Sequence, residues 1–298
     1  GKGADIMVTI QNDRFTATIN EVGAELTHLV DQASHRDLIW NNDLWPKHAP
    51  VLFPAIGRSN EDSYLIDGQR YEMPQHGFVS GETFMIVDQT PTAVTLSLTA
   101  NAATRVYYPF DFELQVTFTL VATGLNLTFS VQNHGQQDLS YSLGSHPAFN
   151  VPFEAGEAFT DYELVLDPAP TDLQQFEIVK TPNPYRSGKE LPVTTDKGVI
   201  KLNYPMFDAG LIILKAPNLA HLTLQSTKSK HSISLNLDDF AYVTLWTKEG
   251  AQAPFLCLEP FNGLPDVAGD LRELATKEGN HHVAVGQSET MAYTITVD

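Results

Sequence analysis

Three short stretches place proton-carrying side chains in unusual settings. In Leu143–Asn150, LGSHPAFN, His146 is followed by Pro147, which restricts its backbone to extended conformations and so aims the ring. Gly144 and Ser145 leave room beside it. An imidazole, with an ordinary pKa of roughly 6.5, can donate or accept a proton near neutrality. In Met73–Phe78, MPQHGF, His76 lies between Pro74 and Gly77. In Phe255–Pro260, FLCLEP, a carboxylate ends an apolar run. Such a run reads as a strand buried on both faces, and partial desolvation raises the pKa of Glu259 and makes it a better base near pH 7. Each residue also has an ordinary structural reading. Glu259 could pair with a buried arginine or amide, and either histidine, two of ten in the chain, could be a satisfied packing residue. Arg58, after the apolar stretch Leu52–Gly57, could bind a polar substrate or neutralise Glu259.

Other constellations carry less. His281 and His282 are adjacent, so on a strand they face opposite ways and make a poor metal pair. No spacing reads as a zinc or EF-hand site, and no glycine-rich phosphate loop precedes a helix. Asp238-Asp239 reads as a turn. Asn126-Leu127-Thr128 matches a glycosylation triplet but falls inside an expected strand. Trp40, Trp45, Phe153, Phe207 and Trp246 read first as packing aromatics.

The elements that must position these groups follow a period of two. Phe112, Leu114, Val116, Phe118 and Leu120 alternate with polar residues, and Leu125, Leu127, Phe129 and Val131 resume the pattern after Ala122-Thr123-Gly124. That pair predicts an antiparallel hairpin. Similar alternation predicts strands at 94–99, 232–237 and 292–297; apolar or β-branched runs predict others at 7–10, 210–214, 222–224, 242–246 and 255–258. A short helix is expected over 270–277, and long loops over 167–201. Many short strands and few helices imply an all-β fold, a large antiparallel sandwich or barrel, as one domain over 1–298.

The bulk properties narrow the partners. The net charge of −18 over 298 residues argues against nucleic acid but permits a small anion near a local arginine. A single cysteine, Cys257, allows no intramolecular disulfide. No apolar run approaches the roughly 20 residues of a membrane span. The first residues show no signal-peptide pattern, residues 1–6 read as a tag remnant or a disordered lead, and Met7 as a native start; a cytoplasmic location is expected.

Together, Leu52–Phe78, Tyr107–Leu114 (YYPFDFEL), Tyr141–Asn150, Met206–Leu214 (MFDAGLIIL) and Phe255–Asp266 (FLCLEPFNGLPD) resemble the aldose 1-epimerase, or galactose mutarotase-like, family, and within it the LacX-like branch. The resemblance runs over nearly the whole chain. It implies a β-supersandwich, a small-molecule sugar as substrate, and interconversion of α and β anomers of a hexose without a cofactor. By motif it implies Glu259 as general base, His146 as general acid and His76 as the second histidine. Arg58 is implied as a substrate-binding arginine, Asp208 as the residue holding sugar hydroxyls, and Trp246 as pocket wall. Acid and base are expected on opposite sides of the sugar. Many relatives continue the second histidine motif as His-Gly-Phe-Ala-Arg; here it is His76-Gly77-Phe78-Val79-Ser80. The missing arginine weakens an alternative hexose-6-phosphate epimerase, for which Lys228 and Lys230 are the remaining candidates. A non-catalytic sugar-binding protein is the other alternative.

Overall fold

The computed structural model describes residues 6–215 and 217–298. The expectation for residues 1–6 therefore falls, apart from Ile6, outside the described residues. Two large antiparallel sheets dominate, one of nine strands and one of eight. The nine-stranded sheet is centred on Phe112–Val121, Gly124–Asn133 and Ser288–Val297. The hairpin at 112–133 forms in the expected register, with Val116 opposite Phe129 and a two-residue loop closing between Val121 and Gly124. Its alternate residues are buried, and they join one apolar cluster that runs from Val8 to Val297. Burying one face of each sheet in that cluster is what the period-two pattern encodes. A four-stranded sheet formed by the N-terminal residues Met7–Asp37 accompanies the two large ones.

Two expectations need correction. Residues 167–201 are not mainly loops: Gln174–Val179, Tyr185–Pro192 and Val199–Lys201 are strands. Tyr185–Pro192 lies at a sheet edge and is exposed along most of its length, so no apolar alternation marks it. Residues 270–277 hold only a 3₁₀ turn at Leu274–Thr276. The α-helix lies instead at Ala102–Tyr107, too short to show a helical stripe and started by a capping box between Asn101 and Thr104.

The eight-stranded sheet positions the site. Its central strand, Phe255–Asn262, is buried at every residue, as expected for a strand covered on both faces. Tyr242–Trp246 pairs along one side of it. Leu143–Ser145 and Ala148–Asn150 pair along the other, interrupted by His146-Pro147. Leu256, Leu258, Val243 and Leu245 point into the main cluster. The opposite face carries smaller apolar groups, Trp40, Ala148, Phe255 and Cys257 in one and Leu52, Ile56 and Phe261 in another.

Candidate active site

The site sits on that second face. Gly144 pairs with Phe261 and Ala148 with Cys257, and both pairs belong to one register. In that register His146 falls opposite Glu259. Directly opposed residues on antiparallel strands project to the same side with Cβ atoms about 5 Å apart. His146 Nε2 accordingly lies 3.2 Å from Glu259 Oε1. The two groups touch, so the expectation that a sugar separates them is corrected. Cross-strand register, invisible in sequence alone, is the reason.

Both groups are almost out of water, with Glu259 2% and His146 7% exposed. Burial pushes the Glu259 carboxyl well above the usual carboxylate range. Burial, reinforced by the neighbouring His76, pushes the His146 imidazole well below its usual value. No described side chain or backbone group hydrogen-bonds the Glu259 carboxyl; His146 Nε2 approaches it at 3.2 Å without hydrogen-bond geometry, and no described arginine pairs with it. His146 Nδ1 is buried without a hydrogen-bond partner among the described residues. The His146 ring is sandwiched by aromatics: Trp45 stacks on it at 5.0 Å, and Trp246 meets it edge-on at 5.7 Å.

His76 stands 5.7 Å from His146, ring centroid to ring centroid. Its backbone is left-handed, with φ of 63°, and it is clamped twice by Gly57. The His76 amide donates to the Gly57 carbonyl at 2.9 Å, and the Gly57 amide donates to His76 Nδ1 at 2.9 Å. An accepting Nδ1 carries no proton, so neutral His76 holds its proton on Nε2 and is a donor there. Burial, with lesser contributions from Arg58 and Lys47, lowers its pKa to about 4. The next residue, Gly77, has φ of +77°, and a Cβ there would come within 1.9 Å of the Phe53 carbonyl oxygen. Only glycine allows the chain to pass so close and leave His76 where it is.

A cavity of about 450 Å³ opens above these groups. Glu259, His146, His76 and Trp246 all line it, joined by Trp45, Lys47, Gln75, Ser80 and Glu249. Arg58 does not line it; its guanidinium pairs with Asp62 at 3.2 Å. Asp208 is exposed, is absent from the lining, and has its backbone carbonyl bound by Lys180. Lys228 and Lys230 are exposed in the turn between the strands His221–Ser226 and Ser232–Asn236. In sequence, Trp45 reads as a packing residue, and nothing singles out Lys47, Gln75 or Glu249. All four lie in loops or turns without periodicity, and only the fold brings them to the cavity. Donor atoms of His146, Cys257 and Glu259 lie within 4.8 Å of one another, the one such set among the described residues able to hold a metal ion. Two of the three are the acid–base pair itself. The third, Cys257, is a buried thiol pushed well above its usual pKa by burial and by Glu259.

Comparison with known proteins adds lineage to this geometry. A family model described as aldose 1-epimerase matches residues 7–273. A galactose mutarotase-like protein of Lactobacillus casei is 38% identical, with a TM-score of 0.94 over 98% of this chain and 100% of that one. A galactose mutarotase related enzyme of Lactobacillus acidophilus is 26% identical, with a TM-score of 0.92 over 98% and 97%. The plasmid protein LacX of Lactococcus lactis is 29% identical over 273 residues, 86% of this chain and 88% of that one.

Proposed function

The chain belongs to the aldose 1-epimerase family, and from that premise we propose that it interconverts the α and β anomers of a free aldose by acid–base ring opening. The observation that carries this reading is the contacting Glu259–His146 pair at the floor of a sugar-sized cavity. Opening a pyranose requires removing the proton of the C1 hydroxyl and protonating the ring oxygen. Both oxygens are bonded to C1, so two groups in contact can reach both from one side. Glu259 takes the hydroxyl proton as base, and His146 protonates the ring oxygen as acid. Rotation about C1–C2 then presents the other carbonyl face, and reclosure reverses both transfers.

The reactive form is the pair carrying a single proton. Burial favours that proton on the carboxyl, and its transfer across the 3.2 Å contact gives the arrangement used for opening. Because the two groups are coupled, the rate follows macroscopic pKa values of the pair. It should therefore be bell-shaped in pH, falling when the pair gains a second proton and when it loses its only one. His76 supplies a neutral Nε2–H donor to a sugar oxygen, and Trp45 and Trp246 wall the ring. Each positioned acid or base typically contributes about 10²–10⁴-fold.

A second reading, a phosphorylated aldose, is favoured by one observation. Lys47 is the cationic side chain on the cavity lining. Against it, Ser80 lines the cavity where the family resemblance implies an arginine, and Arg58, which pairs with the exposed Asp62 at 3.2 Å, is not on the lining. Polarimetry or exchange NMR with paired free and phosphorylated aldoses, across pH, tests both. The free sugars should interconvert faster than in buffer with a bell-shaped profile; a rate enhancement confined to the phosphates selects the second reading, and none with either class removes both.

A further inference from the structure

The structure assigns Glu249 to the substrate: we infer that its carboxylate holds sugar hydroxyls remote from C1, and so sets which aldose is accepted. This rests on the sugar-binding reading of the cavity above. Asp208, implied for that task by motif, is exposed and off the cavity lining. Glu249 is half-buried and on it. It is the second carboxylate of the cavity, and its orientation is fixed. Trp246 Nε1 donates to Glu249 Oε1 at 2.9 Å, which leaves Oε2 without a described partner. Rigidly held acceptors are what sugar selectivity needs, since a hydroxyl left unpaired against a half-buried carboxylate is costly.

Its place along the sheet fits the remote end of a pyranose. Thr244 pairs with Glu259, and Trp246 pairs with Cys257, two residues along the same face. That step is about 6.6 Å, and Glu249 lies on the Trp246 side of it. A sugar with C1 over Glu259 thus runs toward Glu249. The rim there is braced: Lys248 Nζ donates to the Leu44 carbonyl at 2.9 Å, and Trp40 Nε1 donates to the Trp45 carbonyl at 2.8 Å. The turn carrying Glu249 and the loop carrying Trp45 and Lys47 are therefore tied together. Gly210, in the loop just past Asp208, leaves space beside Glu249: a Cβ there would lie 3.9 Å from Oε1.

The test pairs variants with deoxy sugars. Glu249→Gln keeps an oxygen for Trp246 and removes the charge; Glu249→Ala removes both. Anomer exchange is measured for glucose, galactose and their 2-, 3-, 4- and 6-deoxy forms, with binding read by quenching of Trp45 and Trp246. We expect the variants to lose about 10–100-fold in kcat/KM on the preferred aldose, carried mainly by KM, as for a charged hydrogen bond. The deoxy sugar lacking the contacted hydroxyl should be nearly indifferent to the substitution. A parallel loss on every sugar, or no loss on any, overturns the inference. If the wild type exchanges no aldose, the catalytic reading fails, and the same deoxy comparison in binding still decides Glu249. Circular dichroism and the melting temperature identify an unfolded variant. In that case Glu249→Asp, which withdraws the carboxylate by one methylene, decides between the same two outcomes on the same sugars.

Discussion

His76 shows what a single residue can be asked. Its Nδ1 accepts the Gly57 amide, so protonation at that nitrogen breaks a bond that also fixes the ring. Nitrogen-15 NMR should find His76 neutral, with the proton on Nε2, down to pH about 4. Titration near 6.5 would show that the Gly57 clamp does not hold in solution. Glu259, His146 and His76 are legible in sequence because each stands out from its neighbours: a charge ending an apolar run, and two rings beside prolines. Lys47 and Glu249 are not, since a charged residue in a polar loop looks the same whether it faces solvent or a cavity. Asp208 shows the converse. A motif places a residue on the chain, but packing decides whether its side chain reaches the cavity.

At the scale of elements, the site depends on two loops that the sheet alone does not fix. Asp266 fastens them. Its carboxylate accepts from the Asn60 amide at 2.9 Å and from Lys277 Nζ at 2.9 Å, and its amide donates to the Arg58 carbonyl at 3.1 Å. The carbonyl of Pro265, beside it, accepts from Arg186 Nε at 2.6 Å, and its ring closes on Gly57, where a Cβ would come within 2.6 Å of it. The chain of contact thus runs from Asp266 through Pro265 and Gly57 to His76. Asp266→Ala removes a buried carboxylate that accepts from the Asn60 amide and from the half-buried Lys277, and should cost about 1.5–3 kcal/mol in urea unfolding. A loss below about 1 kcal/mol, the range of an exposed pair, would mean the loops are held otherwise. Gly77→Ala should lower the melting temperature and the activity together, with at least about 1–2 kcal/mol lost to the left-handed backbone alone. An unchanged melting temperature would contradict the 1.9 Å approach to Phe53. The strands that sequence locates are those with one dry face, such as the 112–133 hairpin. Edge strands such as Tyr185–Pro192 bury too little to leave a pattern. Register between Leu143–Asn150 and Phe255–Asn262, the fact that sets His146 against Glu259, has no local signature at all.

For the molecule as a whole, the site couples proton binding to stability. His76 and His146 have folded pKa values below their ordinary 6.5, so between about pH 4 and 6.5 the unfolded chain binds more protons at these positions. Their contribution to stability therefore falls as the pH drops through that window. Glu259 has the opposite sign. Its folded pKa is raised, so the folded state holds a proton that the unfolded state has lost, and stability falls as the pH rises above the ordinary carboxylate value of 4.5. Above pH 6.5 the histidines no longer oppose it. Chemical denaturation across pH should find wild-type stability declining relative to Glu259→Gln as the pH rises above about 4.5, since the variant has no such proton to lose. Parallel curves for the two proteins would contradict the burial-raised pKa of this carboxyl. The all-β class is legible from the period of two, and the charge of −18 from counting. That one sheet would use one face for the core and the other for chemistry is not, because a strand buried on both faces reads the same whether its cover is packing or a ligand cavity.

The central claim is that Glu259 and His146 act as a pair on the anomeric centre, and exchange NMR of α and β aldose with Glu259→Gln tests it most directly. The wild type should accelerate interconversion and the variant lose about 10²–10⁴-fold, while the sugar still quenches tryptophan fluorescence. A variant that exchanges anomers as fast as the wild type would contradict it.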